Sequence, residues 1–169
     1  MKPEVKPKRT ISLEQIIPFS PELSDHFRDL NLDWLEEYFF VEPHDRDLLD
    51  KCEEVIINKG GFIFFYQDKG IISGTFALIK VTEDTYELGK MAVSKAFRGQ
   101  GIGQKMMQFC LNYARKAGWE KLILYSNTSL QNSIYIYKKH GFLVVPIEAN
   151  NPYARGNIKM EKDIKTSDL

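Results

Sequence analysis

The longest regular pattern of apolar positions runs from Ile102 to Ala117. There Ile102, Met106, Phe109, Cys110, Tyr113, Ala114 and Ala117 recur at the 3.6-residue spacing of a helix face. Gly118 stands where a glycine closes such a helix. Upstream the period changes. Phe62 to Tyr66 and Ile71 to Val81 are runs of aromatic and β-branched residues joined by Gln67-Asp68-Lys69-Gly70, which predicts a hairpin. Tyr86 to Val93 predicts another strand. Beyond the long helix, Lys121 to Tyr125 predicts a strand and residues 130–140 a helix ended by Gly141. Leu143 to Ile147 and Asn157 to Lys162 predict two last strands. Nearer the N-terminus, Ile11 to Phe19 fits a strand, and Ser20 or Ser24 caps a helix with Phe27, Leu30, Trp34 and Tyr38 on its apolar face. Pro43 interrupts. Asp45 then caps a second helix carrying Leu48, Leu49, Cys52 and Val55, closed by Lys59-Gly60-Gly61. Central hairpin strands followed by strand–helix–strand units predict an α+β (mixed α/β) fold, a sheet with helices on both faces. Residues 1–10 hold four Lys or Arg and two Pro without apolar periodicity, and are expected to form a flexible tail before a single domain over residues 11–169.

Composition changes this picture mainly by exclusion. The 169 residues suit one domain. Lys plus Arg (23) equals Asp plus Glu (23), so no basic excess points to nucleic acid or an acidic membrane surface. Cys52 and Cys110 stand far apart, and His26, His44 and His140 show no ligand spacing, so neither a disulfide framework nor a metal site is expected. The basic N-terminus lacks a following apolar region of the secretory kind. The longest nearly uncharged stretch, Gly70 to Ile79, falls short of the ~20 residues of a membrane span. The expected location is the cytoplasm.

The sharpest local feature is the order strand, glycine-rich turn, helix around Arg98-Gly99-Gln100-Gly101-Ile102-Gly103. Alternating glycines let successive N–H groups point into one concavity, and a helix N-terminus adds partial positive charge, which suits a phosphate or pyrophosphate. Arg98 offers a full charge to the same group. The spacing fits neither a P-loop nor G-x-G-x-x-G, since Gln104 and Met106 stand where the latter needs glycine. Glycines that serve only a tight turn would leave the same signature.

The segment Glu87-Leu88-Gly89-Lys90-Met91-Ala92-Val93, followed by Arg98 to Gly103, resembles motif A of the GNAT superfamily of N-acetyltransferases, [Q/R]-x-x-G-x-[G/A] after a strand. Tyr137-Lys138-Lys139-His140-Gly141-Phe142 resembles the family's Tyr-x-Lys-x-Gly-Phe motif B. The resemblance is specific over residues 86–147. It implies a central mixed, mostly antiparallel sheet flanked by helices on both faces, and an acetyltransferase that moves the acetyl group of acetyl-CoA, without a metal, to a primary amine of a small molecule or peptide by direct attack in a ternary complex. It implies that main-chain groups of Met91, Ala92 and Val93 hold the pantetheine arm, one N–H there facing the oxyanion. The pyrophosphate then lies on Arg98, Gly99, Gln100, Gly101, Ile102, Gly103 and Gln104. Tyr137 becomes the acid that meets the CoA sulfur, although Leu130, Ile134 and Tyr137 also read as a plain core stripe. Many members carry an Asn seven residues before that tyrosine; here the position is Leu130, with Asn127 and Asn132 on either side as candidates for the pantetheine contact.

Glu87 is the candidate general base. On a regular strand it shares a face with Gly89, Met91 and Val93, so a raised pKa and relay of a proton through water are expected; a solvent-facing strand-end glutamate is the other reading. Arg155, before the last strand, is placed either to pair an acceptor carboxylate or as a solvated turn residue. Cys110, inside the helix stripe, is a poor acyl-cysteine. Two further functions stay open: a CoA-binding sensor without turnover, and an acyltransferase for a longer acyl-CoA. GNAT proteins are often homodimers, but no segment of this sequence marks an interface.

Overall fold

A computed structural model describes residues 15–164; the tail expected over residues 1–10, and the start of the strand expected from Ile11, lie outside the described residues. Among the described residues seven strands form one sheet, β1 (Ile16–Pro18), β2 (Phe62–Asp68), β3 (Ile71–Lys80), β4 (Thr85–Val93), β5 (Lys121–Ser126), β6 (Leu143–Val145) and β7 (Ile158–Asp163). Their order is β1-β2-β3-β4-β5-β7-β6, antiparallel throughout except for the parallel pair β4–β5. The mixed, mostly antiparallel sheet and α+β class are as expected.

Both faces of this sheet are covered, which is why β2 and β3 read as unbroken apolar runs rather than as alternating ones. Phe64, Phe76, Leu78 and Leu88 pack with Met106, Cys110 and Ala114 of α3 (Ile102–Ala117), and Ile134 and Tyr137 of α4 (Gln131–Lys139) join them. On the other face Ile63, Phe65 and Ala77 pack with Phe27 and Leu35 of α1 (Ser24–Tyr38) and Leu48 and Leu49 of α2 (Pro43–Asp50). None of these helices is long and apolar enough to cross a membrane.

Three local expectations change. Pro43 begins α2 rather than interrupting the chain, because proline's fixed φ and missing N–H suit the first helical position. Asp45 is therefore two residues inside the helix, where its carboxylate accepts the Glu42 N–H at 2.9 Å. The buried row of α1 is Phe27, Asn31 and Leu35 instead of Phe27, Leu30, Trp34 and Tyr38. Asn31 is tolerated there because its amide donates to the Phe27 carbonyl at 2.9 Å.

The third change concerns β4. Thr75 pairs with Ala92 and Ala77 with Gly89, so Lys90 and Met91 together oppose the single residue Phe76. This is a β-bulge, and Lys90 takes it up with φ of 51°. Face parity inverts across it. Leu88, Met91 and Val93 all face α3, whereas Glu87, opposite Ile79, faces α1 and α2. The expectation that Glu87 shares a face with Met91 and Val93 is thus overturned by one inserted residue.

Candidate active site

The parallel pair β4–β5 is short. It joins residues 85–87 to residues 121–123, and beyond Glu87 and Ile123 no further pair forms among the described residues. The strands part there, so the second half of β4 has no strand partner on that edge, and its Val93 carbonyl is taken by Arg98. A cleft of about 700 Å³ opens at the parting, within the size range of small-molecule sites. It brings together most of the residues singled out from sequence: Glu87, residues 91–93, Asn127, Asn132, Tyr137, and the 98–104 turn apart from Gln100.

At one end lies the glycine turn. Gly99 and Gly101 have φ of 80° and 78°, the left-handed region open to glycine, and Gly101 is the residue from which α3 starts. Lys105 N–H is the first to close onto the Gly101 carbonyl, at 3.1 Å, so the preceding N–H groups of the first turn have no intrahelical partner. A Cβ on Gly99, Gly101 or Gly103 would meet no atom within 4 Å. The concavity is open, and its donors suit an anion of pyrophosphate size. Arg98 differs from expectation. Its Nε donates to the Val93 carbonyl at 3.0 Å and its Nη1 to Glu37 Oε2 at 2.8 Å, so its charge is shared with α1.

Tyr137 stands on the opposite wall, its ring edge-on to Phe142 at 6.1 Å. Burial pushes its phenol up to about 12, and the hydroxyl makes no hydrogen bond among the described residues. Leu130 occupies the residue before α4. Asn127 is engaged within the protein: its amide donates to the Arg155 carbonyl at 2.8 Å and its carbonyl accepts the Ser129 N–H at 2.9 Å. Asn132, in the first turn of α4, is exposed.

The far end holds a cluster that sequence reasoning missed. Glu87 is 8% exposed, and its Oε1 accepts the Tyr153 hydroxyl at 2.9 Å. Burial raises its pKa, against the opposing effects of that hydroxyl and of Lys90. Asp45, fully buried, receives Lys90 Nζ at 2.6 Å and a forked contact from Arg155 at 2.6 and 2.8 Å. Arg155 also reaches Glu42 Oε2 at 2.6 Å, and Glu42 Oε1 accepts the Ala154 N–H at 2.9 Å. Arg155 is thus no solvated turn residue. These contacts tie the loop before β7 to the start of α2 across more than a hundred residues, a separation at which a single sequence carries no pairing signal. Among the described residues no group of His, Cys, Asp and Glu stands together as a metal site.

Burial opposes ionisation of Asp45, yet the Arg155 and Lys90 contacts hold it at about 2, below its ordinary 3.8. Its contribution to stability is therefore complete above pH ~4 and is lost as pH falls toward 2. Asp45→Ala strands the buried Lys90 and leaves Arg155 with Glu42 alone, and is expected to lower unfolding free energy by about 3–5 kcal/mol in urea titrations; a loss under about 1 kcal/mol would mean the cluster behaves as an exposed ion pair.

The comparisons agree with this architecture. The family model described as "Acetyltransferase (GNAT) family" matches residues 27–142. A GNAT-family acetyltransferase of Staphylococcus aureus superposes with a TM-score of 0.78 at 19% identity, covering 89% of this chain and 98% of that one. A GNAT-family acetyltransferase of Elizabethkingia anophelis, solved with acetyl-CoA bound, gives 0.64 at 20% identity, covering 88% and 96%. N-acetyltransferase 8 of Rattus norvegicus is 25% identical over 101 residues, 57% of this chain and 46% of the rat protein. The chain spans between 38% and 62% of the length of the curated relatives it matches. With the family model matched across both motifs, and the same fold in the solved structures, this chain belongs to the acetyltransferase (GNAT) family.

Proposed function

We propose that this chain is an acetyl-CoA-dependent N-acetyltransferase, with residues 11–169 as one domain, acting on the primary amine of a small molecule by direct attack in a ternary complex. The observation that carries this reading is the open glycine turn at the parting of β4 and β5, which sets an anion cradle beside free strand edge. The solved Elizabethkingia relative carries acetyl-CoA, and the residues here suit that molecule. The turn 98–104 would take the pyrophosphate, main-chain groups of residues 91–93 the pantetheine arm, and Asn132, whose side chain is exposed, is better placed to assist than Asn127.

Acetyl-CoA supplies the thioester: the amine nitrogen bonds to the carbonyl carbon and the carbon–sulfur bond breaks. The chain supplies proton handling and charge stabilisation. Glu87, directly or through water, accepts the proton the amine loses; its Oε2 makes no hydrogen bond among the described residues, while Oε1 is held by Tyr153. A backbone N–H of residues 91–93, at the bulge, stabilises the oxyanion. Tyr137, kept protonated at neutral pH, gives its proton to the leaving thiolate. Cys110 takes no part, since complete burial in apolar surroundings raises its thiol pKa far above the neutral range.

Glu87 acts as a base only when ionised, so kcat/KM rises with pH along a limb set above the ordinary 4.5. Glu87→Gln is expected to remove that limb and to lower kcat roughly 10²-fold. Initial rates of thiol release at fixed acetyl-CoA across pH measure both; an unchanged limb in the variant would remove Glu87 from the mechanism.

A further inference from the structure

Among the described residues, the acceptor end of the cleft has no unpaired cation to offer a ligand. Arg155 forks onto Asp45 at 2.6 and 2.8 Å and onto Glu42 at 2.6 Å. Lys90, its side chain 4% exposed, is held by Asp45 at 2.6 Å. At the glycine-turn end, Arg98 is likewise held, by Glu37, Tyr38 and Val93. Three carboxylates, Glu42, Asp45 and Glu87, thus stand against two cations, Lys90 and Arg155, and the Lys159–Glu148 pair, which also acts on Glu87, adds one charge of each sign. Glu87, the carboxylate facing the cleft with an oxygen to spare, is met by a hydroxyl rather than by an ion. Above it the end of α1 lines the cleft with Trp34, Tyr38 and Phe39, the Trp34 ring 5.4 Å from Tyr38 and 5.7 Å from Phe39. Tyr125 and Tyr153, 5.9 Å apart, line it from the sheet and the loop before β7.

We infer that this end selects amines with an aromatic or apolar body and no carboxylate, an inference about the acceptor that rests on the acetyltransferase reading above. An ammonium finds Glu87 and the Trp34 ring, both of which attract a cation, while Tyr38, Phe39, Tyr125 and Tyr153, whose rings already meet Arg98, Arg155, Lys159 and Lys90, complete the apolar wall. A carboxylate entering beside it meets Glu87 as a like charge. Arg155 could receive it only by leaving two buried carboxylates, which costs more than the new contact returns. The pairing suggested for Arg155 by sequence alone is thereby replaced: Arg155 shapes the site and does not hold the acceptor.

The test compares matched pairs, 2-phenylethylamine with phenylalanine and tryptamine with tryptophan, titrated calorimetrically into the protein saturated with CoA. Each amine is expected to bind at least ~10-fold more tightly than its carboxylated partner, since like-charge juxtaposition and an unpaired anion both count against the latter. Trp34→Ala is expected to weaken the amines about 5-fold while leaving CoA affinity unchanged. Equal or tighter binding of the amino acids, or no binding of either member, overturns the inference. Product is followed separately by mass spectrometry. Amines that bind preferentially without being acetylated would retire the acetyltransferase reading and leave this inference standing. Amino acids that bind more tightly and are acetylated faster would do the reverse.

Discussion

Gly103→Glu is expected to weaken acetyl-CoA binding at least ~100-fold and to leave the fold at least as stable. Position 103 is the second residue of α3 and has ordinary helical backbone, unlike Gly99 and Gly101, so a side chain there introduces no left-handed strain. Its Cβ would enter open space. Replacing a helical glycine gains up to about 1 kcal/mol, and an acidic residue in the first turn adds a few tenths through the helix dipole. In the cradle the same carboxylate faces the pyrophosphate. Two like charges about 4 Å apart near a protein surface repel by about 4 kcal/mol, so affinity is expected to fall at least ~100-fold. Calorimetric titration measures the loss and thermal unfolding checks the fold. Binding that survives would show that the pyrophosphate lies elsewhere and that these glycines serve the turn alone.

Tyr137→Phe is expected to lower kcat by roughly 10²–10³-fold, the scale of a lost general acid, with KM for acetyl-CoA unchanged. The substitution keeps the ring against Phe142 and removes a hydroxyl with no hydrogen-bond partner among the described residues, so stability is preserved. The same assay separates an enzyme from a CoA-binding sensor, because a sensor has no turnover to lose. A variant with full activity would return Tyr137 to the core stripe that its spacing with Leu130 and Ile134 also permits.

What was legible in the sequence follows from the range of the physics involved. The α3 stripe and the glycine turn are local: helical periodicity and a demand for positive φ leave marks within a few residues. The sheet order follows once the strands and their connections are recognised. The face of Glu87 was lost because period-two reasoning assumes a regular strand, and the bulge at Lys90 lies on a non-glycine residue that gives no sign of positive φ. In α1 the hydrophobic reading chose Trp34 and Tyr38 for the core, whereas packing buries Asn31 and leaves those two rings toward the cleft. The ion cluster was illegible for another reason. Asp45 reads locally as a cap and Arg155 as a turn residue, and only the fold brings them within 2.6 Å.

The most direct measurement of the central claim is calorimetric titration of acetyl-CoA into the wild-type protein. Micromolar binding at a single site, competed by CoA, is the expected result. Absence of binding over the concentrations at which such enzymes load would contradict the acetyl-CoA reading of the cleft, leaving the family fold without that ligand.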